Sequence, residues 1–289
     1  MSRAQARMSV LAQAWRSPMD NTSCIDGRGS MLQARLKEGV AHPWTSSLAM
    51  SSAFDRALPV RAWNPATTGQ VFVALLDLRD WRSWVVDAHA MLDPEERQRV
   101  ERRRSAAQRD RLALAYALHR LLLARTLGCN AGDVCVVRDA AGCPRVPGTA
   151  LSTSLSHADG AVALAVSASG PVGIDIEWSA RAAVMPEIAD RICHPDDRAA
   201  MCGLPWAEWN EALLALWVRK EAFLKAAGVG LQQEMKSFAA PRNATIALSD
   251  GARSRVRMLD AGSHWVAAVA APPDAAVQLS WLRPVRACS

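Results

Sequence analysis

The chain has 289 residues, half of them hydrophobic and 21% charged, which is long enough for two modest domains and too apolar for wholesale disorder. Its formal charge of +6 favours anionic partners without separating nucleic acid, membrane, nucleotide or acidic protein. Seven scattered cysteines with no C-x-x-C pair argue against a disulfide framework or zinc ribbon, and no apolar run reaches the length of a membrane span.

The opening "MSRAQARMSVLAQAWRSPMD" begins basic, but its apolar stretch is too short for a signal peptide. A soluble, cytoplasmic protein is therefore expected. Residues 1–68 are rich in Ser, Ala, Pro and Arg and show no sustained period, which predicts a poorly ordered N-terminal extension. From Val71, "VFVALLDL" reads as a strand. "LDPEERQRVERRRS" then opens a helix, with Asp93 at the N-cap and Pro94 at the first helical position. A second helix runs through "QRDRLALAYALHRLLLARTLG" to a Gly128 cap. "DVCVV", "STSLSH", "AVALAVS" and "VGIDIE" follow as strands. After Pro186 come two short helical pieces and a long helix from about Pro205 to Ala227, capped by Gly228. The strands "ATIAL", "RVRML", "HWVAAVA" and "VQLSW" close the chain. The second half echoes the first, so the fold expected is α+β: a pseudo-dimer of two similar halves, 69–170 and 171–285.

Asp175 and Glu177 of "GIDIEW" project from one face of a strand, about 7 Å apart at the backbone. On composition alone, an outward polar face on an edge strand is the commoner arrangement. The apolar run around them argues instead for a covered strand, where two acids repel unless one protonates or a cation sits between them. Hard oxygen ligands at this spacing suit Mg²⁺. In "WVRKEAFLKAAGVGL", Trp217, Glu221 and Lys225 share one helical stripe. A surface Glu–Lys pair is the plain reading, whereas a third metal ligand with a phosphate-binding lysine is the sharper one. Seven arginines and four acids lie between residues 95 and 111, which reads either as a solvated helix face or as a grip for phosphates. Ser156 and His157 end a strand with no G-x-S-x-G elbow around them, so a Ser–His hydrolase is poorly supported.

Taken together these residues resemble the surfactin-type 4′-phosphopantetheinyl transferases, whose signatures are a G-[IV]-D-[IV]-E strand, a W-x-x-K-E-[AS]-x-x-K helix and an upstream S-H pair. Here they stand as Gly173–Glu177, Trp217–Lys225 and Ser156-His157, in family order. The basic helix pair from Asp93 and the "GVGL" continuation also look like the family's, so the motif-bearing resemblance covers about Asp93 to Leu231. It implies transfer of the phosphopantetheine arm of coenzyme A to a serine of an apo acyl or peptidyl carrier protein, with release of adenosine 3′,5′-bisphosphate. It also implies two similar halves with coenzyme A in the cleft between them; with both halves in one chain, a monomer is expected. Asp175, Glu177 and Glu221 would then hold Mg²⁺, with Asp175, Glu221 and Lys225 as the catalytic set and Lys225 on the α-phosphate. Ser156 and His157 would meet the nucleotide end, and Arg99 and Arg111 the 3′-phosphate.

Three positions depart from the family pattern. Cys143 stands where the family often has lysine, with Arg145 nearby as a substitute. Glu96 falls where some relatives are basic, and Leu112 where a polar phosphate contact occurs. Two rival readings remain: another Mg²⁺-dependent phosphotransferase or nuclease, and a basic nucleic-acid-binding protein. The last lacks the basic–aromatic interleaving of an RNA platform.

Overall fold

The structure, a computed structural model, describes residues 48–59, 69–230, 233–248 and 251–285. Much of the extension expected over 1–68, and Leu231 of the "GVGL" stretch, lie outside the described residues. Within that extension, Leu48–Ala57 forms helix α1. Its Phe54 is fully buried and stacks on Trp84 at 5.3 Å, with its edge toward Trp81. Ten residues anchored by one aromatic are too few to show a helical period in the sequence.

The first half runs β1 (Gln70–Asp77), α2 (Val85–Met91), α3 (Pro94–Glu101), α4 (Ala106–Leu127), β2 (Val137–Arg138), β3 (Pro144–Arg145), β4 (Ser152–Ala158) and β5 (Ala161–Ser167). Asp93 and Ser105 cap α3 and α4 through reciprocal capping boxes, as the S/D-x-x-E/Q spacing favours. Gly128 ends α4 in the left-handed conformation, which only glycine adopts without strain. The strand expected at "DVCVV" is corrected: Ala131–Asp133 is a 3₁₀ turn, and pairing begins only at Val137.

After β6 (Gly173–Trp178) and a 3₁₀ segment (Ser179–Ile188) come α5 (Ala189–Ile192), α6 (Pro195–Ala200) and α7 (Trp206–Ala227). The chain then forms β7 (Thr245–Ala247), β8 (Arg253–Leu259), β9 (Trp265–Ala271) and β10 (Ala276–Trp281). Two sheets result, one in the order β10-β1-β5-β4-β3-β2 and one in the order β6-β9-β8-β7. The last strand thus leaves the second half and pairs parallel with β1, a long-range crossover without any local signal in the sequence.

The layers follow from strand alternation. Phe72, Ala74, Leu76, Val162 and Leu164 face the helices, in one core with residues of α1 and α4. Val71, Val73, Leu75, Ile174, Ile176 and Val269 share a second core between the sheets. The sheets meet along β4 and β6 through serine side chains. Ser152 and Ser154 Oγ accept the amides of Val172 and Ile174, each at 3.1 Å, while Ser156 Oγ donates to Asp175. The alternating serines of "STSLS" replace a backbone ladder and satisfy an otherwise unpaired strand edge.

Candidate functional site

The site is built where β6 lies against α7. Gly173 makes that approach possible: a Cβ there would fall 2.0 Å from Ala222 O and 2.4 Å from Ala226 N, inside the helix backbone. The glycine that opens "GIDIE" is therefore a packing requirement. With Gly173 facing α7, alternation turns Asp175 and Glu177 the same way and sends Ile174 and Ile176 into the inter-sheet core. The strand is covered on both sides, as its apolar neighbours required.

The 3.6-residue period of α7 brings Trp217, Glu221 and Lys225 to this surface, all but Lys225 buried. Lys225 Nζ donates to Asp175 Oδ1 at 2.6 Å and to Ile174 O at 3.0 Å, and keeps 25% of its side chain exposed. Asp175 Oδ1 also accepts from Ser156 Oγ at 2.8 Å. Glu177 is ion-paired to Arg181, four residues on in the 3₁₀ segment, and the Arg181 guanidinium lies over the Trp217 ring, 6.0 Å from its centroid.

Burial and the neighbouring Asp175 charge push the carboxyl groups of Glu177 and Glu221 up to about 7. Burial alone would lower the Lys225 ammonium, but Asp175 and then Glu221 outweigh it and hold it above its ordinary value. Three carboxylates thus share two cations in a low-dielectric pocket. Among the described residues no three His, Cys, Asp or Glu side chains converge into a ready metal cage; Lys225 holds Asp175 and Arg181 holds Glu177. Two buried carboxylate oxygens, Asp175 Oδ2 and Glu221 Oε1, nevertheless have no hydrogen-bond partner. Such atoms cost stability unless a cation or donor meets them. All-oxygen donors with an uncompensated negative charge fit Mg²⁺, with Asp175, Glu177 and Glu221 as the residues that would hold it.

The other residues singled out in the sequence are distributed around this centre. Ser156 is buried, with its hydroxyl committed to Asp175. His157, next along β4, turns to the opposite side and is solvent-exposed. Desolvation by the protein around it, followed by Arg103, Lys225, Arg138 and Arg111, pushes its imidazole down to about 4. Its exposure means that the cations, more than burial, secure this direction. Arg111 pairs with Asp159 and lines a cleft of about 670 Å³, whose far wall is Trp178, His264 and Trp265 of the second half. Arg99 is half-buried in the last turn of α3 and bonds to none of these groups among the described residues.

Arg145 is held by Asp139 at 2.7 Å and packs beside Gly228, so the candidate substitute for the missing lysine is already paired. Glu96, a departure from the basic residue of some relatives, is buried as a partner of Arg120 at 2.8 Å. Leu112 is likewise buried, in the helix–sheet core of the first half.

Three arginines escaped the sequence reading. Arg181 carries an i,i+4 spacing from Glu177, but that signal is visible only once the segment after β6 is known to coil. Arg103 was one of seven arginines with nothing to rank it. Arg138 lies over the Tyr116 ring at 5.3 Å and donates to Gly142 O at 2.8 Å, both contacts long-range or turn-dependent. No helix of the described residues is long and apolar enough to cross a membrane.

Comparison with known proteins bears on the same segment. Residues 171–279 match the family model described as the 4′-phosphopantetheinyl transferase superfamily. This stretch includes Asp175, Glu177, Arg181, Glu221 and Lys225, and excludes Ser156, His157, Arg99 and Arg111. Over 153 residues the chain is 28% identical to the 4′-phosphopantetheinyl transferase HetI of Nostoc sp. (strain PCC 7120 / SAG 25.82 / UTEX 2576). That alignment takes in 52% of this chain and 65% of the relative, just under two thirds of its length. The segment that holds the buried acids is thus the part of the chain that is similar to the 4′-phosphopantetheinyl transferase superfamily.

Proposed function

We propose that the protein transfers the 4′-phosphopantetheine arm of coenzyme A to a serine hydroxyl of an apo acyl or peptidyl carrier protein. Adenosine 3′,5′-bisphosphate leaves, and Mg²⁺ is the cofactor. The observation that carries this reading is the pair of buried, partnerless oxygens, Asp175 Oδ2 and Glu221 Oε1, beside a lysine in the family-matched segment.

In the transfer, the serine Oγ bonds to the phosphorus that bears pantetheine, and the P–O bond to the bisphosphate breaks. Charge spreads over the phosphate oxygens, so catalysis is chiefly positioning and charge neutralisation. Bound Mg²⁺ would supply Lewis acidity and a template for the pyrophosphate. The residues of the chain do the rest. Lys225 spends two of its three N–H donors on Asp175 and Ile174 and keeps one for a phosphate oxygen on the leaving side. Ser156 fixes the Asp175 carboxylate, and Glu221 takes the serine proton, directly or through water. Arg111, on the wall of the cleft, and Arg99 are assigned to the 3′-phosphate, and His157 to the nucleotide end. Both halves contribute within one chain, so a monomer suffices.

The test is direct. The purified protein, coenzyme A and Mg²⁺ are incubated with a panel of apo carrier domains, and the carriers are weighed. A gain of the phosphopantetheine mass, lost on chelation, is the expected result. No gain on any carrier, with protein shown to be folded, sinks the proposal.

A further inference from the structure

Glu177 is the acid of the three that is paired with an arginine. It stands on the same strand face as Asp175, with only 15% of its side chain exposed. Lys225 is committed to Asp175 and the Ile174 carbonyl, so it does not hold Glu177 by a hydrogen bond. What does hold it is Arg181, and Arg181 is itself held. Its side chain is three-quarters buried, and its guanidinium sits over the face of Trp217. Trp217 belongs to the same stripe of α7 as Glu221 and Lys225, one and two turns before them. The path Glu177–Arg181–Trp217 therefore ties the acid on β6 to the helix that carries its companions. The flat guanidinium suits both ends, forking toward the carboxylate and stacking on the indole.

We propose that Arg181 is the positioning residue of the acid cluster: clamped on Trp217, it pins the Glu177 carboxylate in the arrangement that takes up the divalent cation. This role rests on the magnesium reading given above. Arg181 touches neither the substrate nor the reacting atoms. Partners that orient a ligand from behind typically account for 10- to 100-fold in metal affinity, so Arg181→Ala is expected to bind Mg²⁺ about 10-fold more weakly. Arg181→Lys keeps the charge and loses the planar stack, and is expected to fall between the two.

The measurement is calorimetric titration of the full chain with Mg²⁺, repeated with Mn²⁺, for wild type and both variants. It is accompanied by thermal melts in chelator, and none of it needs coenzyme A, carrier or turnover. A merely structural arginine would lower the melting temperature in chelator and leave the affinity of the folded protein unchanged. A positioning arginine lowers the affinity at an unchanged melting temperature, with partial rescue by lysine. Equal or tighter metal binding by Arg181→Ala overturns the proposal, since the arginine would then be a bystander or a competitor for Glu177. If Arg181→Ala does not fold, Arg181→Lys decides alone: wild-type affinity overturns the role and a loss supports it. A folded wild type that takes up no metal removes the magnesium reading itself, and this role with it.

Discussion

The two halves of the chain share a frame and differ in what they bury. Each has a strand, a short capped helix beginning at an x-Pro step, and a 22-residue helix that ends on a left-handed glycine. The strands that return are ordered alike, β1-β5-β4-β3 with β2 added beyond β3 in one and β6-β9-β8-β7 in the other. Counting fixes the correspondence. Asp93 and His194 are the caps, and the acids three residues later, Glu96 and Asp197, are both buried. They pair with Arg120 and Lys220, each eight residues before its capping glycine. On the same count Ala74 and Leu76 stand where the second half has Asp175 and Glu177, and Leu121 stands where it has Glu221. One half thus serves as an internal control for the other. The acid–cation clamp recurs in both, so it belongs to the frame. Among the described residues the acid triad occurs once, at positions that the first half fills with apolar side chains, so it is what sets the second half apart.

The largest expected effects separate these two classes. Asp175→Ala and Glu221→Ala should each lower the transfer rate on the order of 1,000-fold, as loss of a preorganised electrostatic group does. Glu221→Ala should keep its melting temperature, because it removes a buried oxygen that has no partner, whereas Asp175→Ala also strips Lys225 and Ser156 of their shared acceptor and should melt lower. Leu121→Ala, at the matching place in the first half, should do the reverse. It costs about 3 kcal/mol of stability and leaves the rate per folded molecule intact. Carrier mass gain and urea midpoints, measured side by side on the three variants, read both axes. If Leu121→Ala impaired turnover as Glu221→Ala does, the halves would not divide into frame and chemistry.

Next in size is the clamp. Lys220 has no exposed surface, and its ammonium meets Asp197 at 2.6 Å and the carbonyls of Ile192, Met235 and Phe238. Arg120 reaches Asp93 and Glu96 and also donates to Val134 O. Truncating either cation to Met strands a buried carboxylate and should cost about 3 to 5 kcal/mol in chemical denaturation. A Lys220→Met/Asp197→Leu double variant should recover much of the loss. Full additivity of the two single losses would mean that the pair is not a unit.

How much of this the sequence discloses depends on how local the determinant is. "GIDIE" is readable because alternation separates its acids from its isoleucines, and Trp217–Glu221–Lys225 because the helical period aligns them. Gly128 and Gly228 mark their helix ends for the same reason. Lys220 sits inside the recognised helix motif, yet its complete burial is not readable. A charged residue one position off the stripe gives no sign of the three carbonyls that close around it from distant segments. Arg181 is hidden by an uncoded 3₁₀ segment. The crossover of β10 and the docking of Phe54 are pairings across the whole chain, specified by edge and pocket shape. Composition near them carries neither.

The smallest effect is a difference in acid response between the two long helices, nine residues before their glycines, where His119 faces Arg219 across the repeat. Arg219 donates to Ala240 O at 2.7 Å and, although burial lowers it to about 10, stays cationic at every working pH. His119 is buried and bonded to Thr153 Oγ1 at 2.7 Å. Because that hydroxyl donates its own proton to Ala165 O, His119 is the donor, a neutral imidazole with its hydrogen on Nε2. Desolvation, then Arg138 and Arg120, push it down to about 3. The unfolded chain protonates near pH 6.5 and the folded chain does not, so the stabilisation is complete above pH 6.5 and drains away as pH falls toward 3. Between pH 7 and 4.5 this amounts to about 3 kcal/mol. Glu177 and Glu221 work the other way, since their raised values mean that acid relieves a cost present above pH 7. The wild-type slope therefore mixes both, and the comparison that isolates His119 is with His119→Gln, which keeps the donor to Thr153 and cannot titrate. Urea midpoints at pH 7 and 4.5 should show wild type losing about 3 kcal/mol more than the variant. Parallel losses in the two proteins would mean that the imidazole is protonated inside the fold and that this position distinguishes the halves by shape alone.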